Sequence, residues 1–524
     1  MPSPGWIRQS NMPVHDKRFL LAVDQGTSGT SAVLYRVDGQ PVAQVDVPVA
    51  SYYPAPGWVE QNPFEILDSV RHACRSLIQK TDLRPGQILC LGMAHQGESL
   101  LLWDPQNGMP VHNVISWRCV RSATVCDSLI SQGMNPDFRQ RTGLSLLPEW
   151  PATKVLWCQQ NNSTLHHLLE TRKLVYSQID AWLMYQLTQE RMLRTDHSMA
   201  SRSGFYNIHT LKWDAELIAL FRAENLIFPE IVSSDSYFGE VILGDNWHIA
   251  WNANLIDQAS SLLGQGCIEQ GDTKITYGTC AAFWCNTGQN ALLSESITAS
   301  VAWMQGDQPT YALVGETTAA GAAIGWIKEK FHPSWPDSEL ASVAQAAGST
   351  NDLIFVPAFS GLGVPYLSPH VRGTLYGLTG DIGPEHILRA GLEAIAFSVR
   401  DIVDALVAQK GLQLAGPLKA DGGMAANRYL MQFQADILGR QLVVAQNLES
   451  TSAGIAFLAG LASGCYTQIE DVKTQWSAAC VFEPTMDRSE REQRYARWSA
   501  ALQHTLAVYS ALPIPTEKDE SQCR

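Results

Sequence analysis

The hydrophobic residues near the start of the chain occur in short runs that are typical of strands. Residues 19–23 are apolar and lead through Asp24 into small and hydroxylated residues, after which apolar residues resume at 32–35. A further apolar run follows Asp38-Gly39, a pair that is typical of a hairpin turn. The pattern therefore predicts a strand meander over residues 19–49.

Helical periodicity follows the meander. Asn62-Pro63 predicts a helix start, because proline fits the first helical turn. A helix is also predicted over residues 257–264, and a strand–turn–strand pattern then resumes around Gly278. Apolar residues recur on one face from His386 to Lys410, which predicts a long amphipathic helix. The order of strands followed by helices occurs twice along the chain. This repetition predicts duplicated α/β domains with a cleft between them.

Length and composition narrow the class of protein. The chain has 524 residues, more than one hydrophobic core normally supports, which predicts two large domains. Its net charge of -14 argues against nucleic-acid binding. No apolar run approaches the roughly 20 residues that cross a membrane. The 11 cysteines contain no CxxC pair, so free thiols in the cytoplasm are expected.

Three loops of small residues follow apolar segments, at residues 24–30, 276–280 and 420–427. Glycines let a backbone approach a ligand, while amide and hydroxyl groups donate to anionic oxygens. Any one of these loops alone is equally compatible with a plain turn between two strands. Together they indicate a nucleotide that is held between two lobes.

Four further segments are more specific. Residues 53–63, 205–214, 357–366 and 430–439 resemble, in this order, motifs of the FGGY carbohydrate kinases and among them of the glycerol kinases. The resemblance runs from about Phe19 to Trp498. It implies the actin/hexokinase/heat-shock-70 ATPase fold, in which two ribonuclease-H-like α/β domains are hinged about a nucleotide cleft, and it implies ATP and Mg²⁺. The sequence has no Walker A motif, which agrees with a nucleotide that is bound by hairpins.

The resemblance also implies a division of the chain. We expect a flexible arm over residues 1–17 and a flexible tail over 513–524. Between them, residues 18–264 would form the domain for substrate and phosphate, and 265–512 the nucleotide domain. A homo-oligomer is compatible with the resemblance, which does not decide it.

Asp257 resembles the catalytic aspartate of the family. With an ordinary pKa of about 3.9 it would be ionised and able to accept the proton of the attacking hydroxyl. The alternative is a helix N-cap, because a helical pattern follows it. Asp24 would act behind the phosphates through Mg²⁺ and its waters. The resemblance also implies the remaining nucleotide contacts. The phosphates would be bound by Thr27, Ser28 and Gly29 from the first domain and by Gly278 and Thr279 from the second. The adenosine would be bound by Gly422, Gly423 and Asn427, for which a tight connection without a ligand is the alternative.

For the substrate, the polyol contacts of the family correspond to Glu98, Trp117, Asp257 and Gln258, with core filling as the alternative for Trp117. Several positions depart from the glycerol kinase pattern. Three of them belong to the same expected pocket, where Gly97 stands in place of an arginine, Glu149 in place of a tyrosine and Ala282 in place of a phenylalanine. The others are Cys280 for a glycine and Ser31 for a basic residue.

The resulting expectation is an ATP-dependent kinase that phosphorylates a primary hydroxyl of glycerol or a related small polyol. One alternative is a kinase of a larger polyol or sugar, with Glu149 accepting from an additional hydroxyl. Another is a nucleotide-binding regulatory protein with weakened transfer, since Ser31 supplies no charge to the γ-phosphoryl group unless Lys274 does so.

Overall fold

The structure is a computed structural model that describes residues 19–171, 173–244, 246–409 and 411–511. The predicted arm at 1–17 and tail at 513–524 lie outside these ranges. In the described residues the strands are β1 (Phe19–Gln25), β2 (Gly29–Arg36), β3 (Pro41–Pro48), β4 (Glu60–Gln61), β5 (Ile88–His95), β6 (Leu101–Trp103), β7 (Val114–Ile115), β8 (Val175–Ser177), β9 (Arg194–Asp196), β10 (Tyr206–Asn207), β11 (Lys212–Trp213), β12 (Glu230–Val232), β13 (Glu240–Ile242), β14 (His248–Ile256), β15 (Thr273–Tyr277), β16 (Ala281–Gly288), β17 (Thr298–Gln305), β18 (Gln308–Glu316), β19 (Ile354–Val356), β20 (Thr374–Tyr376), β21 (Leu418–Asp421), β22 (Leu442–Ala445) and β23 (Ala478–Phe482).

The helices of the same ranges follow the predicted order. They are α1 (Pro63–Thr81), α2 (Ala123–Ser131), α3 (Asn135–Thr142), α4 (Pro151–Asn161), α5 (Ser163–Thr171), α6 (Ile179–Leu187), α7 (His197–Ala200), α8 (Ala215–Leu220), α9 (Asp257–Gly264), α10 (Gly321–Phe331), α11 (Leu340–Ala346), α12 (Pro384–Val407), α13 (Arg428–Leu438), α14 (Ser450–Ala462), α15 (Val472–Gln475) and α16 (Arg488–Ala511).

Two large sheets form the centres of the two domains. Over the described ranges the first sheet has six strands in the order β13-β14-β5-β1-β2-β3, and the second has seven in the order β17-β18-β16-β15-β21-β22-β23. In each sheet, the first strand pairs antiparallel with the second strand and parallel with a later one: β1 pairs with β2 and β5, and β15 pairs with β16 and β21. This repeated arrangement confirms the prediction of two duplicated, ribonuclease-H-like α/β domains.

The predicted local elements are also present. The meander consists of β1, β2 and β3, and α1 begins after Asn62, whose side chain accepts from the backbone N–H of Phe64 at 2.9 Å. The long amphipathic helix is α12, which ends at Val407, while Lys410 lies outside the described residues. Within the described ranges, no helix is long and apolar enough to cross a membrane.

Helices α9 and α14 lie between the two sheets and contact each other closely. α14 packs on β1 and β5 of the first sheet, whereas α9 also contacts β16 and β17 of the second. A Cβ atom on Gly454 would overlap the carbonyl oxygen of Ser260, and one on Gly264 would overlap that of Ser450. The two backbones therefore touch directly, and only glycine fits at the crossing.

This crossing predicts that Gly454→Ala destabilises the protein. Overpacking of this kind costs about 1–3 kcal/mol, because the added methyl group pushes the two helices apart. We expect a lower midpoint of thermal and urea unfolding. The matched control is Gly325→Ala in α10, where a Cβ meets no atom within 4 Å. There the gain in helix propensity of about 0.5–1 kcal/mol leaves the midpoint equal or higher. Equal midpoints for the two variants would contradict the close crossing.

Candidate functional site

The first small-residue loop is a tight turn between β1 and β2. The N–H of Gly26 donates to the carbonyl oxygen of Gly29 at 2.9 Å. A Cβ on Gly29 would lie 2.7 Å from the carbonyl oxygen of Val47, so a side chain has no room there. Gln61 Nε2 donates to the carbonyl oxygen of Thr27 at 2.8 Å, and Ser28 is exposed. The contacts with Val47 and Gln61 thus fix one side of the turn, while Ser28 on the turn faces solvent.

Asp24 lies directly before this turn and has an unsatisfied oxygen. Its Oδ1 is buried without a hydrogen-bond partner in the described part of the chain. Burial raises the pKa of Asp24 well above its usual value, and the charges of Asp257 and Glu449 raise it further. Mg²⁺ fits such a position, because a cation would partner the free oxygen and relieve the repulsion. The described residues contain no group of three or more histidine, cysteine or acidic side chains that could hold a metal by themselves.

The second and third loops contact each other. Gly422, in the third loop, has a φ of 85°, and a Cβ there would lie 2.6 Å from the carbonyl oxygen of Tyr277 in the second loop. The Thr279 carbonyl oxygen accepts from Ala320 N at 2.8 Å. A Cβ at Gly423 would meet no atom within 4 Å. The two loops therefore form one continuous surface of the second domain.

Two residues of these loops have local structural contacts. Asn427 is the N-cap of α13, and its Oδ1 accepts from Leu430 N at 3.0 Å. Gly278 donates its N–H to the carbonyl oxygen of Cys280 at 2.9 Å, which closes the turn between β15 and β16. These contacts explain the turn and the helix start, and they leave the outward backbone of the loops open to a ligand.

Asp257 is the first residue of α9, after Ile256 as the N-cap. It is not the N-cap itself, and its Oδ1 accepts from the adjacent Gln258 N at 2.7 Å. Burial raises the pKa of Asp257 to about 7, with contributions from the negative charges of Glu98 and Glu316, while Lys274 opposes the shift. The raised pKa corrects the expectation of an ordinary aspartate pKa at this position.

Lys274 connects the two domains at this point. Its side chain is fully buried, and Nζ donates to Gln258 Oε1 at 2.6 Å and to Thr276 Oγ1 at 2.8 Å. Burial lowers the pKa of Lys274, whereas the charges of Asp421 and Asp257 raise it. The ammonium group therefore lies beside Gln258 and within the electrostatic influence of Asp257.

Glu98 lies on the first-domain side of Asp257, and hydrogen bonds hold both its backbone and its side chain. Its backbone is left-handed, with a φ of 58°, and its N–H donates to Gln178 Oε1 at 2.6 Å. Its Oε1 accepts from Arg202 Nε at 2.5 Å. The sequence analysis missed Arg202, although it lies only three residues before the segment 205–214 that carried part of the resemblance.

Trp117 forms a wall next to the phosphate turn. Its Nε1 donates to Thr27 Oγ1 at 2.9 Å, and the ring is only partly buried. The hydrogen bond joins the expected substrate pocket to the expected phosphate loop. This position is not that of a residue enclosed in the hydrophobic core.

The departures at Gly97 and Glu149 change the shape and the charge of the expected substrate pocket. A Cβ on Gly97 would overlap Cδ1 of Ile256, so Ile256 occupies the space next to it. Burial raises the pKa of Glu149 to about 7, opposed by Arg202. Lys154 Nζ donates to the carbonyl oxygens of Glu98 at 2.9 Å and of Glu149 at 2.5 Å, and burial lowers the pKa of Lys154 to about 7.

The remaining departures lie nearby. Ala282 is buried on β16 and pairs with Glu316 of β18. Cys280 donates weakly from Sγ to the carbonyl oxygen of Thr318 at 3.5 Å. Ser31 is uncharged, and its Oγ donates a hydrogen bond to Asp46.

Comparisons with known proteins agree with this arrangement. Residues 19–261 match the N-terminal domain of the FGGY family of carbohydrate kinases, and 273–463 match its C-terminal domain. A glycerol kinase of Caldanaerobacter subterraneus subsp. tengcongensis is 37% identical over 93% of this chain and 99% of the relative. One of Symbiobacterium thermophilum is 38% identical over 93% and 98%.

Solved structures show the same fold. The crystal structure of Plasmodium falciparum glycerol kinase with ADP is similar with a TM-score of 0.86 and 30% identity, covering 93% of this chain and 98% of that chain. A gluconate kinase from Lactobacillus acidophilus has a TM-score of 0.83 at 23% identity, covering 94% and 98%, which supports the fold alone. Two matched domains and relatives of this similarity over almost the whole length lead to one conclusion: the chain belongs to the FGGY family of carbohydrate kinases.

Proposed function

We propose that this kinase transfers the γ-phosphoryl group of ATP to a primary hydroxyl of glycerol or a related small polyol, and that Asp257 accepts the hydroxyl proton. Phosphoryl transfer needs a positioned hydroxyl, a proton acceptor and donors around the phosphoryl oxygens. The observation that carries the proposal is the position of Asp257, which begins the helix between the two sheets and is electrostatically coupled to Glu98, Glu316 and Lys274. The glycerol kinases similar to this chain support the same activity.

The environment of Asp257 suits a proton acceptor. A carboxyl group with a pKa of about 7 is a stronger base than an ordinary aspartate, and its pKa is close to the pH at which a general base works best. Lys274 lies close enough to stabilise the carboxylate. The donor to its Oδ1 is the N–H of Gln258, which fixes the orientation of the group.

For the nucleotide, we assign the phosphates to the turn of Thr27, Ser28 and Gly29 and to Gly278 and Thr279 opposite. Gly422, Gly423 and Asn427 would bind the adenosine. The contact between the second and third loops supports a single nucleotide site. Asp24 is the residue that would hold Mg²⁺, and the ion would neutralise part of the phosphate charge when bound.

For the substrate, Glu98 and Gln258 would bind hydroxyl groups and Trp117 would cover the hydrocarbon side. Glu149 would border the same pocket, and Gly97 would line it through its backbone. A carboxylate, an amide and an aromatic wall suit a small molecule with adjacent hydroxyls. The charge of Glu149 also favours a second candidate, a kinase of a larger polyol or sugar.

The regulatory alternative has less support. Ser31 provides no cation, but the buried Lys274 lies beside Gln258 and is available to the same site.

We further propose that the first domain spans 18–264 and the second 265–512, and that the protein works in the cytoplasm. The ten cysteines in the described residues form no disulfide with one another, which is compatible with a reducing compartment.

The first test replaces the proposed base. Asp257→Asn should lower kcat by about 10²–10⁴-fold, because the amide cannot accept the proton, while ADP binding is retained. A coupled ADP-release assay and calorimetric ADP titration measure the two effects. The control is Asp404→Asn, which removes an exposed carboxylate that pairs with Arg400. An unchanged kcat in Asp257→Asn would refute the assignment.

The second test uses pH. Asp257 must be ionised to act, so kcat/KM should fall about tenfold per pH unit below its pKa of about 7 and level off above it. The residual activity of Asp257→Asn should lack this acid limb. A wild-type profile that stays flat well below pH 7 would contradict the raised pKa or the role of the group.

The third test concerns the space beside Gly97. Gly97→Ala should destabilise the protein because the new Cβ overlaps Cδ1 of Ile256. Ile256→Val removes that atom and by itself costs about 0.5–1.5 kcal/mol. In a double-mutant cycle we expect the double variant to be more stable than the sum of the single effects by about 1 kcal/mol. Strict additivity in unfolding experiments would argue against the contact.

A further inference from the structure

One row of side chains crosses the second sheet and faces the first domain. The strand register pairs Thr276 with Asp421 and with Ala282, and Ala282 with Glu316. Directly opposite residues on neighbouring strands point to the same face of a sheet. Asp421 in this row accepts from Ser261 Oγ of α9 at 3.0 Å. The row therefore faces α9, and Glu316 stands at its far end.

The end of the row lies at the substrate side of the cleft. The charge of Glu316 raises the pKa of Asp257, and the charges that act on Glu316 include those of Arg202, Glu98 and Lys274. Among the described residues the Glu316 carboxylate has no hydrogen-bond partner. Its neighbour Ala282 has only a methyl group and cannot cover it. A carboxylate of the second domain thus lies within the electrostatic influence of Arg202 and Glu98, which belong to the first domain.

Arg202 supplies a complementary donor to the same pocket. Its residue is 7% exposed, its Nε donates to Glu98, and its guanidinium lies 4.8 Å from the ring centre of Trp150. Its Nη1 is buried and has no partner in the described residues. A buried guanidinium N–H without an acceptor is costly, so an oxygen atom of a ligand hydroxyl placed beside Nη1 would be favourable.

These groups exceed what glycerol needs. Glu98, Gln258 and Asp257 already offer a partner for each hydroxyl of a three-carbon polyol. Glu149, Glu316 and the free N–H of Arg202 are additional partners, and hydroxyl groups can both donate to carboxylates and accept from a guanidinium. The surplus of carboxylates disfavours an anionic sugar acid, because a further negative charge would be repelled.

We propose that Glu316 and Arg202 form a distal part of the substrate site and that the preferred substrate is a neutral polyol of four to six carbons. The inference rests on the proposed kinase function and specifies its substrate. Glu316 accepts a hydrogen bond from a distal hydroxyl, and Arg202 Nη1 donates to the oxygen of such a hydroxyl. Because Glu316 comes from the opposite domain, a longer polyol contacts both lobes.

The experiment measures kcat/KM by coupled ADP release for glycerol, erythritol, ribitol, xylitol, sorbitol and mannitol. The wild type should prefer at least one of the longer polyols to glycerol. In Glu316→Ala the ratio of kcat/KM for that polyol to kcat/KM for glycerol should fall about ten- to a hundredfold. Glu316→Gln keeps the shape and should give a smaller fall in the ratio. Arg202→Lys should also lower the ratio, because the compact ammonium group of lysine cannot reach Glu98 and the position of Nη1 at the same time, as the planar guanidinium does.

The control is Glu230→Gln, an exposed glutamate that pairs with Arg194, and its ratio should equal that of the wild type. ADP titration verifies that each variant is folded. A wild type that turns over glycerol with a higher kcat/KM than every longer polyol would overturn this inference and leave the kinase proposal intact, as would an unchanged ratio in Glu316→Ala. No turnover of any polyol, with ADP binding intact, would overturn the proposed function itself.

Discussion

The direct backbone contact between α9 and α14 is the constraint on which the rest of the structure depends. Gly264 and Gly454 allow the two helices to touch, and Gly92 lets β5 approach α14 in the same way, since a Cβ there would lie 2.5 Å from the carbonyl oxygen of Ile455. Both helices begin next to the cleft, α9 with Asp257 and α14 after Glu449. Fixing the crossing therefore fixes the two carboxyl groups whose charges act on Asp24.

The second consequence is electrostatic. Carboxyl groups from both domains lie in one region that is largely shielded from water. Burial there raises the pKa of Asp24, Asp257 and Glu316. Such a cluster is unfavourable unless cations or ligand groups balance it. Lys274 and Arg202 supply part of that balance. The rest is available to ligands, which connects the stability of the site to the binding of nucleotide and substrate.

The sequence allowed local features of the site to be predicted, because a short segment encodes each of them. The turn after Asp24, the turn at Gly278 and the helix that begins at Asp257 all follow from runs of neighbouring residues. The duplicated fold was predictable as well, from the repeated order of strands and helices and from the resemblance. The assigned roles of the site residues stay predictions until the variants are measured.

Arg202 and Glu316 escaped the sequence analysis for a physical reason. Glu316 reaches the pocket only because the register of β16 and β18 places it opposite Ala282, and Arg202 only because the turn after α7 places it beside Glu98. Pairing between distant strands is not encoded in any local pattern.

Two departures from the glycerol kinase pattern alter the surroundings of the expected pocket, while the groups that the proposed transfer needs remain. The space beside the Gly97 backbone is filled by Ile256, and the small side chain of Ala282 lies opposite Glu316. Asp24, Asp257 and Lys274 still lie next to the cleft, and burial raises the pKa of both aspartates. A buried group of carboxylates is unfavourable unless cations or ligand groups balance it. The presence of this group therefore favours a kinase with an altered substrate pocket over a protein that has lost its activity.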